Sequence, residues 1–354
     1  MPGKPKYFRS PTPPRGSSAA ARLGKIFWLA LGLAFSAASA PAAQPRPLPA
    51  WPAPPQAPCI VYVRDFAGPR DIGARLPFLT RLLDTVTGTG GDARKLDRPF
   101  GLSLDAAGNL LVTDTGANAV CYFDLARKQW SSWQSVGQRR FLSPVAAVRH
   151  GPTFFVADSA LGEVLAFDAR GRLQFEITNH LERPTGLALL GDQLLVVDSQ
   201  LHQVVVCGLR GEFVSCFGRR GRGDGEFNFP THIAVDAHNH IYVTDSLNHR
   251  VQVFAADGKF VRAFGSAGDG PGHFSRPKGV AVDTAGHIYV VDAVFGNVQI
   301  FNAAGQLLLD FGRAGSGPGE FWLPNAIAID ARNDIFVSDA YNHRVQMFRY
   351  TGRE

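Results

Sequence analysis

Cysteine is scarce in this 354-residue sequence, and its four copies follow no pattern that binds haem or metal. None belongs to a Cys-x-x-Cys-His haem motif, and no cysteine or histidine cluster has zinc-finger spacing. We therefore predict no cofactor and no metal site. A domain of this size needs no disulfide, so we expect packed free thiols, although an oxidising compartment would permit disulfides. The cysteines are Cys59, Cys121, Cys207 and Cys216.

Acidic residues are missing from the first 64 positions, and this absence explains the net charge of +6. Removing residues 1–42 takes away six of the 36 basic residues and no acidic one, which leaves 30 of each sign. The remaining chain is neutral. Its charge therefore gives no reason to expect nucleic acid as a partner.

An apolar run long enough to cross a bilayer, about 20 residues, is also lacking at the N-terminus. The run at 26–39 follows a basic segment and precedes small residues, which is the layout of a secretory signal peptide. We predict a signal peptide at 1–42, cut after Ala42, and a periplasmic or extracellular protein. The alternative is an uncleaved leader that anchors the chain in the membrane, which is the only membrane contact we expect.

Proline is concentrated directly after this leader. Residues 41–58 contain eight of the 24 prolines, a composition typical of an extended and semi-rigid tether. We predict a linker at 43–58 and a folded domain at 59–354.

One motif recurs through the domain, an apolar strand that ends in aspartate. The copies end 44, 40, 47, 47 and 47 residues apart. Six copies at this period predict an all-β fold, a six-bladed β-propeller with four antiparallel strands in each blade. The copies are LLVTD, FFVAD, LLVVD, IYVTD, IYVVD and IFVSD, ending at Asp114, Asp158, Asp198, Asp245, Asp292 and Asp339.

Two copies continue into Asn-His-Arg-Val, at 248–251 and 342–345. With the Phe-Gly-x-x-Gly-x-Gly-x-Gly-x-Phe segments between copies, this motif resembles the NHL repeat over residues 96–354. The likeness is specific in blades four to six and weaker in blades one to three. It implies a propeller that serves as an interaction platform. Some NHL-like propellers are instead zinc-dependent lyases of α-hydroxyglycine peptides, and others bind RNA.

The sixth copy reaches residue 354 directly after its third strand, so its outer strand must come from elsewhere. The strand-like segment 60–66 can supply it, and we predict that this N-terminal strand closes the last blade. Between this strand and the repeats, apolar residues at helical spacing over 77–86 predict a short helix packed on the propeller. A helix lying on a membrane surface is the alternative.

Features that recur in every blade are explained most simply by folding, so we look for function where the repeat is interrupted. At the second position after each blade's first proline, five blades have glycine or alanine and one has His232. We predict a ligand-binding site around it at the mouth of the central channel. A polar plug that holds an ordered water is the alternative. The candidate residues are His232, Thr231, Lys278, Asn325 and Thr185.

A second interruption is the basic crossover with Arg219, Arg220 and Arg222, where the next blade has Ser266 and Asp269. We predict these arginines as contacts for an acidic partner, with a solvated loop as the alternative.

These features favour a monomeric, non-enzymatic binding scaffold for a protein, peptide or glycan, with no predicted catalytic residue. The alternative is a metal-dependent lyase or hydrolase of the peptidyl-hydroxyglycine type, which needs about three converging ligands where this sequence offers only His232. A nucleic-acid-binding NHL domain is a further alternative, which the neutral mature charge disfavours.

Overall fold

The computed structural model describes residues 48–53, 55–74 and 95–352. The predicted signal peptide and the predicted helix at 77–86 lie outside these residues. Within the described part of the chain, no helix is both long enough and apolar enough to cross a membrane.

Six antiparallel sheets confirm the six-bladed β-propeller. Two strands come before the repeats, β1 (Ala50–Trp51) and β2 (Ile60–Phe66). Blade 1 contains β3 (Pro99–Leu104), β4 (Leu110–Asp114), β5 (Ala119–Asp124) and β6 (Gln129–Trp133), and is followed by the short pair β7 (Ser135–Val136) and β8 (Arg139–Arg140). Blade 2 contains β9 (Pro144–His150), β10 (Thr153–Asp158), β11 (Glu163–Asp168) and β12 (Leu173–Ile177). Blade 3 contains β13 (Pro184–Leu190), β14 (Gln193–Asp198), β15 (Gln203–Gly208) and β16 (Phe213–Phe217).

The remaining blades follow the same plan. Blade 4 contains β17 (Pro230–Val235), β18 (Ile241–Asp245), β19 (Arg250–Phe254) and β20 (Phe260–Phe264). Blade 5 contains β21 (Pro277–Val282), β22 (Ile288–Asp292), β23 (Asn297–Phe301) and β24 (Leu307–Phe311), and is followed by the parallel pair β25 (Arg313–Ala314) and β26 (Glu320–Phe321). Blade 6 contains β27 (Pro324–Ile329), β28 (Asp334–Asp339) and β29 (Arg344–Tyr350). Single 3₁₀ turns at Ser246–Asn248 and Ala340–Asn342 join the second and third strands of blades 4 and 6.

Burial explains the sequence pattern of each strand. Second strands such as β18 are buried at every position, because both faces pack against neighbouring blades, and they read as continuous apolar runs. The outer strands β20 and β24 alternate between more and less exposed positions, as expected for strands with one face toward solvent.

The N-terminal strand closes the ring as predicted. Strand β2 pairs antiparallel with β29, and the blade 6 sheet has the order β1-β2-β29-β28-β27. Ile60, Tyr62 and Phe66 are buried in this sheet, and the Tyr62 ring lies 5.7 Å from that of Phe348. The first and last parts of the domain therefore share one hydrophobic core.

A fifth strand in this blade comes from the segment predicted as a tether. Residues Ala50–Trp51 pair with β2, and the Trp51 ring lies 5.7 Å from Phe311 and 5.9 Å from Phe348. The proline content indicated an extended chain and this stretch is extended, but the large apolar surface of Trp51 holds it against the blade.

The aspartate that ends each second strand has a structural role in every blade. All six are buried, and each accepts a hydrogen bond at 2.7 Å from the backbone N–H two residues before its blade's first proline. In blade 4, Asp245 also accepts from Asn248 Nδ2 at 2.8 Å and Arg250 Nε at 2.8 Å. His249 has a φ of 55°, in the left-handed region, where the chain turns into β19. The Asn-His-Arg motif is therefore a fold element.

The cysteines form no disulfide, and Trp133 of blade 1 packs against blade 2. All four cysteines are free, and in the β15–β16 register Cys207 is opposite Phe213 whereas Cys216 is opposite Val205. Trp133 packs between blades, with its ring 5.1 Å from that of Phe154.

Candidate functional site

The first strands and the turns after the second strands meet at one end of the central channel. Two adjoining cavities of about 300 Å³ and about 510 Å³ lie there, and we call them together the channel mouth. The residues shared by both cavities are Phe100, Val145, Ser159, Arg183, Arg276 and Lys278.

All five residues predicted as a ligand site lie at the channel mouth. Thr185, Thr231, His232 and Lys278 line the smaller cavity, and Asn325 lines the larger one beside Lys278. The structure therefore brings together side chains from blades 3, 4, 5 and 6.

A hydrogen-bond chain crosses the channel at this site. Asn325 Nδ2 in blade 6 lies 3.3 Å from His232 Nε2 in blade 4, and it also donates to the carbonyl oxygen of Phe100 in blade 1 at 3.2 Å. Since the Asn325 amide donates to Nε2, the neutral imidazole of His232 has its proton on Nδ1. This chain joins three blades across the channel.

The reason that a histidine fits in blade 4 is an alternation between odd and even blades. In the odd blades this position is glycine, and a Cβ there would collide with the backbone of the next blade. For Gly186 that Cβ would lie 2.9 Å from the Thr231 carbonyl oxygen, and for Gly101 it would lie 2.3 Å from that of Val145. The even blades carry Ala146, His232 and Ala326 at this position. The small residue expected in all five other blades is thus required sterically only in the odd ones.

Three polar atoms at and beside His232 have no hydrogen-bond partner among the described residues. In blade 1, Thr113 Oγ1 accepts from the Gly101 N–H at 2.8 Å, and Ser338 does the same for Ala326 in blade 6. At the matching place in blade 4, the described protein offers no hydrogen-bond partner to Thr244 Oγ1, Thr231 Oγ1 or His232 Nδ1. A buried polar atom that keeps no partner at all, water included, costs about 1–3 kcal/mol. These atoms therefore favour a water or a ligand at the channel mouth.

Charge and burial shape the titration of the two basic groups. Burial, together with the nearby charge of Lys278, lowers the pKa of His232 to about 3, so the imidazole is neutral at pH 7. Burial, then the charges of Arg276 and Arg183, lowers the pKa of Lys278 to about 8. Lys278 is thus mostly protonated at pH 7, in surroundings that disfavour its charge.

Sequence reasoning missed three arginines at the mouth. Arg98, Arg183 and Arg276 directly precede the first prolines of blades 1, 3 and 5, and all three line the larger cavity. The even blades have Ser143, Phe229 and Leu323 at this position. The sequence does contain this pattern, because each of the three arginines directly precedes the first proline of its blade.

The basic crossover lies elsewhere. Arg219 Nη2 pairs with Glu226 at 2.9 Å, and Arg313 pairs with Glu320 in the same way two crossovers later, so this arginine belongs to the repeat. Arg222 lines a third, shallow cavity with Asn248 and Ala267, which shares only Leu247 with the smaller mouth cavity, and Arg220 is exposed nearby. The structure does not bring the predicted partner-contact arginines together with the His232 site.

The lyase alternative requires several side chains that converge on one metal ion. Within residues 48–53, 55–74 and 95–352, no group of three His, Cys, Asp or Glu side chains is placed to hold one. The described donors therefore do not fit the zinc site that the resemblance implied.

Lys278→Met is expected to stabilise the protein. Because the folded-state pKa is about 8 against an ordinary 10.5, the unfolded chain alone keeps this proton between these values. The stability of the wild type therefore rises with pH across that window. Below pH 8 the buried charge of Lys278 destabilises the folded wild type by its full amount. At pH 7 we expect a gain of about 1–3 kcal/mol and a Tm higher by roughly 2–12 °C.

The measurement is thermal unfolding of both proteins from pH 7 to 10.5, where the gain should shrink as pH rises. Lys259→Met is the matched control, because that amine is exposed and paired with Asp257. A Lys278→Met protein that melts below the wild type at pH 7 would contradict the expectation.

Comparisons with known proteins agree on the architecture. A family described as a 6-bladed beta-propeller matches residues 237–295 and 283–353. No curated protein matches the sequence significantly.

Solved structures are similar at low sequence identity. An auxiliary nutrient binding protein from Bacteroides thetaiotaomicron has a TM-score of 0.58 at 13% identity, covering 72% of this chain and 69% of that one. A streptogramin B lyase has 0.54 at 10%, covering 72% and 93%, and the virginiamycin B lyase from Staphylococcus aureus has 0.53 at 12%, covering 72% and 95%. At these identities the likeness shows the β-propeller fold alone.

Proposed function

We propose that this propeller is an exported, non-enzymatic binding scaffold whose channel mouth holds a protein, peptide or glycan partner. The observation that carries the proposal is the cluster of unsatisfied buried polar atoms around His232. Folding alone does not require the histidine, because Ala146 and Ala326 occupy the equivalent positions in the other even blades. Adjoining cavities of about 300 Å³ and about 510 Å³ leave room beside this cluster for part of a partner.

Export is part of the same proposal and rests on the leader at 1–42 together with the proline-rich segment that follows it. Once the leader is removed, acidic and basic residues are equal in number, as suits a scaffold that recognises its partner locally.

His232→Ala tests the proposal. Alanine fits the backbone here, as it does in blades 2 and 6, so we expect Tm to change by only a few degrees. Partner affinity should fall roughly three- to tenfold, the effect of losing one neutral hydrogen-bonding group. The measurement is quantitative capture of exported proteins and a glycan array, each run with wild type and His232→Ala as bait.

His238→Ala is the matched control, because it makes the same change at an exposed histidine in blade 4. Partners that bind wild type and the control equally, but bind His232→Ala less, support the channel mouth as the binding face. Equal capture by all three proteins would show that the partner binds elsewhere.

A further inference from the structure

The channel mouth concentrates positive side chains, and the nearest carboxylates are the buried Asp114, Asp198 and Asp292, which accept hydrogen bonds from the backbone N–H groups of the mouth arginines. Arg98, Arg183, Arg276 and Lys278 line the larger cavity, and no aspartate or glutamate lines either cavity. By contrast, Arg219 and Arg313 in the crossovers are paired with Glu226 and Glu320. Among the described residues, no salt bridge involves any of the four mouth cations.

The arrangement of the arginines is regular, because they come from alternate blades and therefore surround the channel. Arg98 lies over the Tyr341 ring, with 5.5 Å between its guanidinium carbon and the ring centroid. The guanidinium groups keep their hydrogen-bond donors free for an external acceptor, and planar guanidinium matches the geometry of a carboxylate.

Exposed apolar side chains also lie at the channel mouth, where Leu247, Leu323 and Tyr341 line the cavities. Of eleven large apolar side chains that are exposed in the described part of the chain, six line the mouth or adjoin a lining residue in sequence. Trp322 and Tyr341 lie side by side among them, with ring centroids 5.6 Å apart. Isolated exposed apolar residues are ordinary, but a cluster of them around a cavity is typical of a protein-binding surface. The six are Leu142, Leu247, Val294, Trp322, Leu323 and Tyr341.

We infer that the channel mouth binds an acidic peptide segment, in which two or more carboxylates meet Arg183, Arg276 and Lys278 while neighbouring apolar side chains contact the rim. This inference rests on the proposed function and narrows its partner. Charge complementarity selects the acidic residues, and the exposed Leu247, Leu323 and Tyr341 side chains that line the cavities favour a peptide whose acidic residues have apolar neighbours. The two cavities are large enough for a few side chains, so the recognised segment is short.

Selection from a random 12-residue peptide library displayed on phage tests this inference with the full chain as target. Enriched peptides should be acidic, with Asp or Glu adjacent to Leu, Ile, Phe or Trp. Their synthetic copies should bind Arg183→Gln/Arg276→Gln roughly 10- to 100-fold more weakly than wild type in calorimetric titrations, the effect expected for losing charged hydrogen bonds. Both arginines are exposed, so the variant should melt close to wild type.

Arg220→Gln/Arg222→Gln is the matched control, since it removes the same charge from the exposed crossover. Unchanged affinity in this control supports the mouth, whereas an equal loss in both variants would overturn the inference as a general effect of charge. Enrichment of neutral or basic peptides would also overturn it. So would tighter binding of an RNA oligonucleotide, citrate or inorganic phosphate than of the enriched peptides. A neutral partner that still depends on His232 would leave the proposed function standing and remove only this inference.

Discussion

A chain that lacks residues 1–70 is expected to melt roughly 10–20 °C below the full domain or to remain unfolded. The deletion removes β2, whose Ile60, Tyr62 and Phe66 are buried against blade 6 and the start of blade 1. Burial of each such side chain contributes about 1.5–3 kcal/mol. For a large domain each kcal/mol corresponds to about 2–4 °C in Tm.

The deletion also exposes a long sheet edge. Without β2, the third strand β29 has an open row of backbone N–H and C=O groups, which invites pairing with other chains. We therefore expect aggregation on heating in addition to the lower Tm. Differential scanning calorimetry with light scattering measures both effects.

A chain that lacks only residues 1–47 is the control, because it keeps β1 and β2. It should melt at the temperature of the full chain. If the two shortened proteins melted within about 3 °C of each other, β2 would contribute little to stability. That result would contradict the expectation that β2 stabilises the propeller by closing the ring.

Ring closure was predictable because it follows from counting strands. Each blade needs four, the sixth copy provides three, and only 60–66 reads as an unassigned strand. Strand β1 was not predictable in this way, because proline composition describes an extended chain equally well whether it is free or docked. The aromatic contacts of Trp51 decide this, and they depend on where Phe311 and Phe348 lie in the folded blade.

The candidate site was predicted in part. His232 stood out because it interrupts a repeated column of small residues, and the structure places it at the mouth with the other four candidates. The alternation of odd and even blades was not expected, since it arises from close backbone approach at Gly101, Gly186 and Gly279. The cationic mouth was missed for a different reason. An arginine before a proline looks like an ordinary loop residue in the sequence. Only the folded ring shows that the arginines of three blades line one cavity.

Asp245→Ala is expected to destabilise the protein by about 3–5 kcal/mol, equivalent to a Tm lower by roughly 6–20 °C. Asp245 is fully buried and accepts hydrogen bonds from the Asn228 N–H at 2.7 Å, Asn248 Nδ2 at 2.8 Å and Arg250 Nε at 2.8 Å. Its removal leaves these donors unsatisfied and the Arg250 charge without its buried partner. Chemical denaturation monitored by tryptophan fluorescence gives the change in free energy of unfolding.

A double-mutant cycle with Arg250→Met separates the ion pair from the rest of the network. Arg250 Nη2 also donates to the carbonyl oxygens of Gly223 and Glu226, at 2.7 and 2.9 Å, so it ties the crossover loop to the same aspartate. The two substitutions together should therefore cost about 1–3 kcal/mol less than the sum of the single ones. Asp257→Ala, in the exposed hairpin turn of the same blade, removes only an exposed ion pair and one turn hydrogen bond and should lower Tm by no more than about 2–4 °C.

An Asp245→Ala protein as stable as Asp257→Ala would contradict a structural role for the repeated motif. That outcome would also weaken the case for His232 as a binding residue. The case depends on recurring residues serving the fold, so that residues which differ between blades are available for binding. If the aspartate network holds each second strand to its crossover, the side chains of the motif already use their hydrogen-bonding groups for folding. The positions left for a partner are then those that differ between blades, at His232 and in the arginines around it.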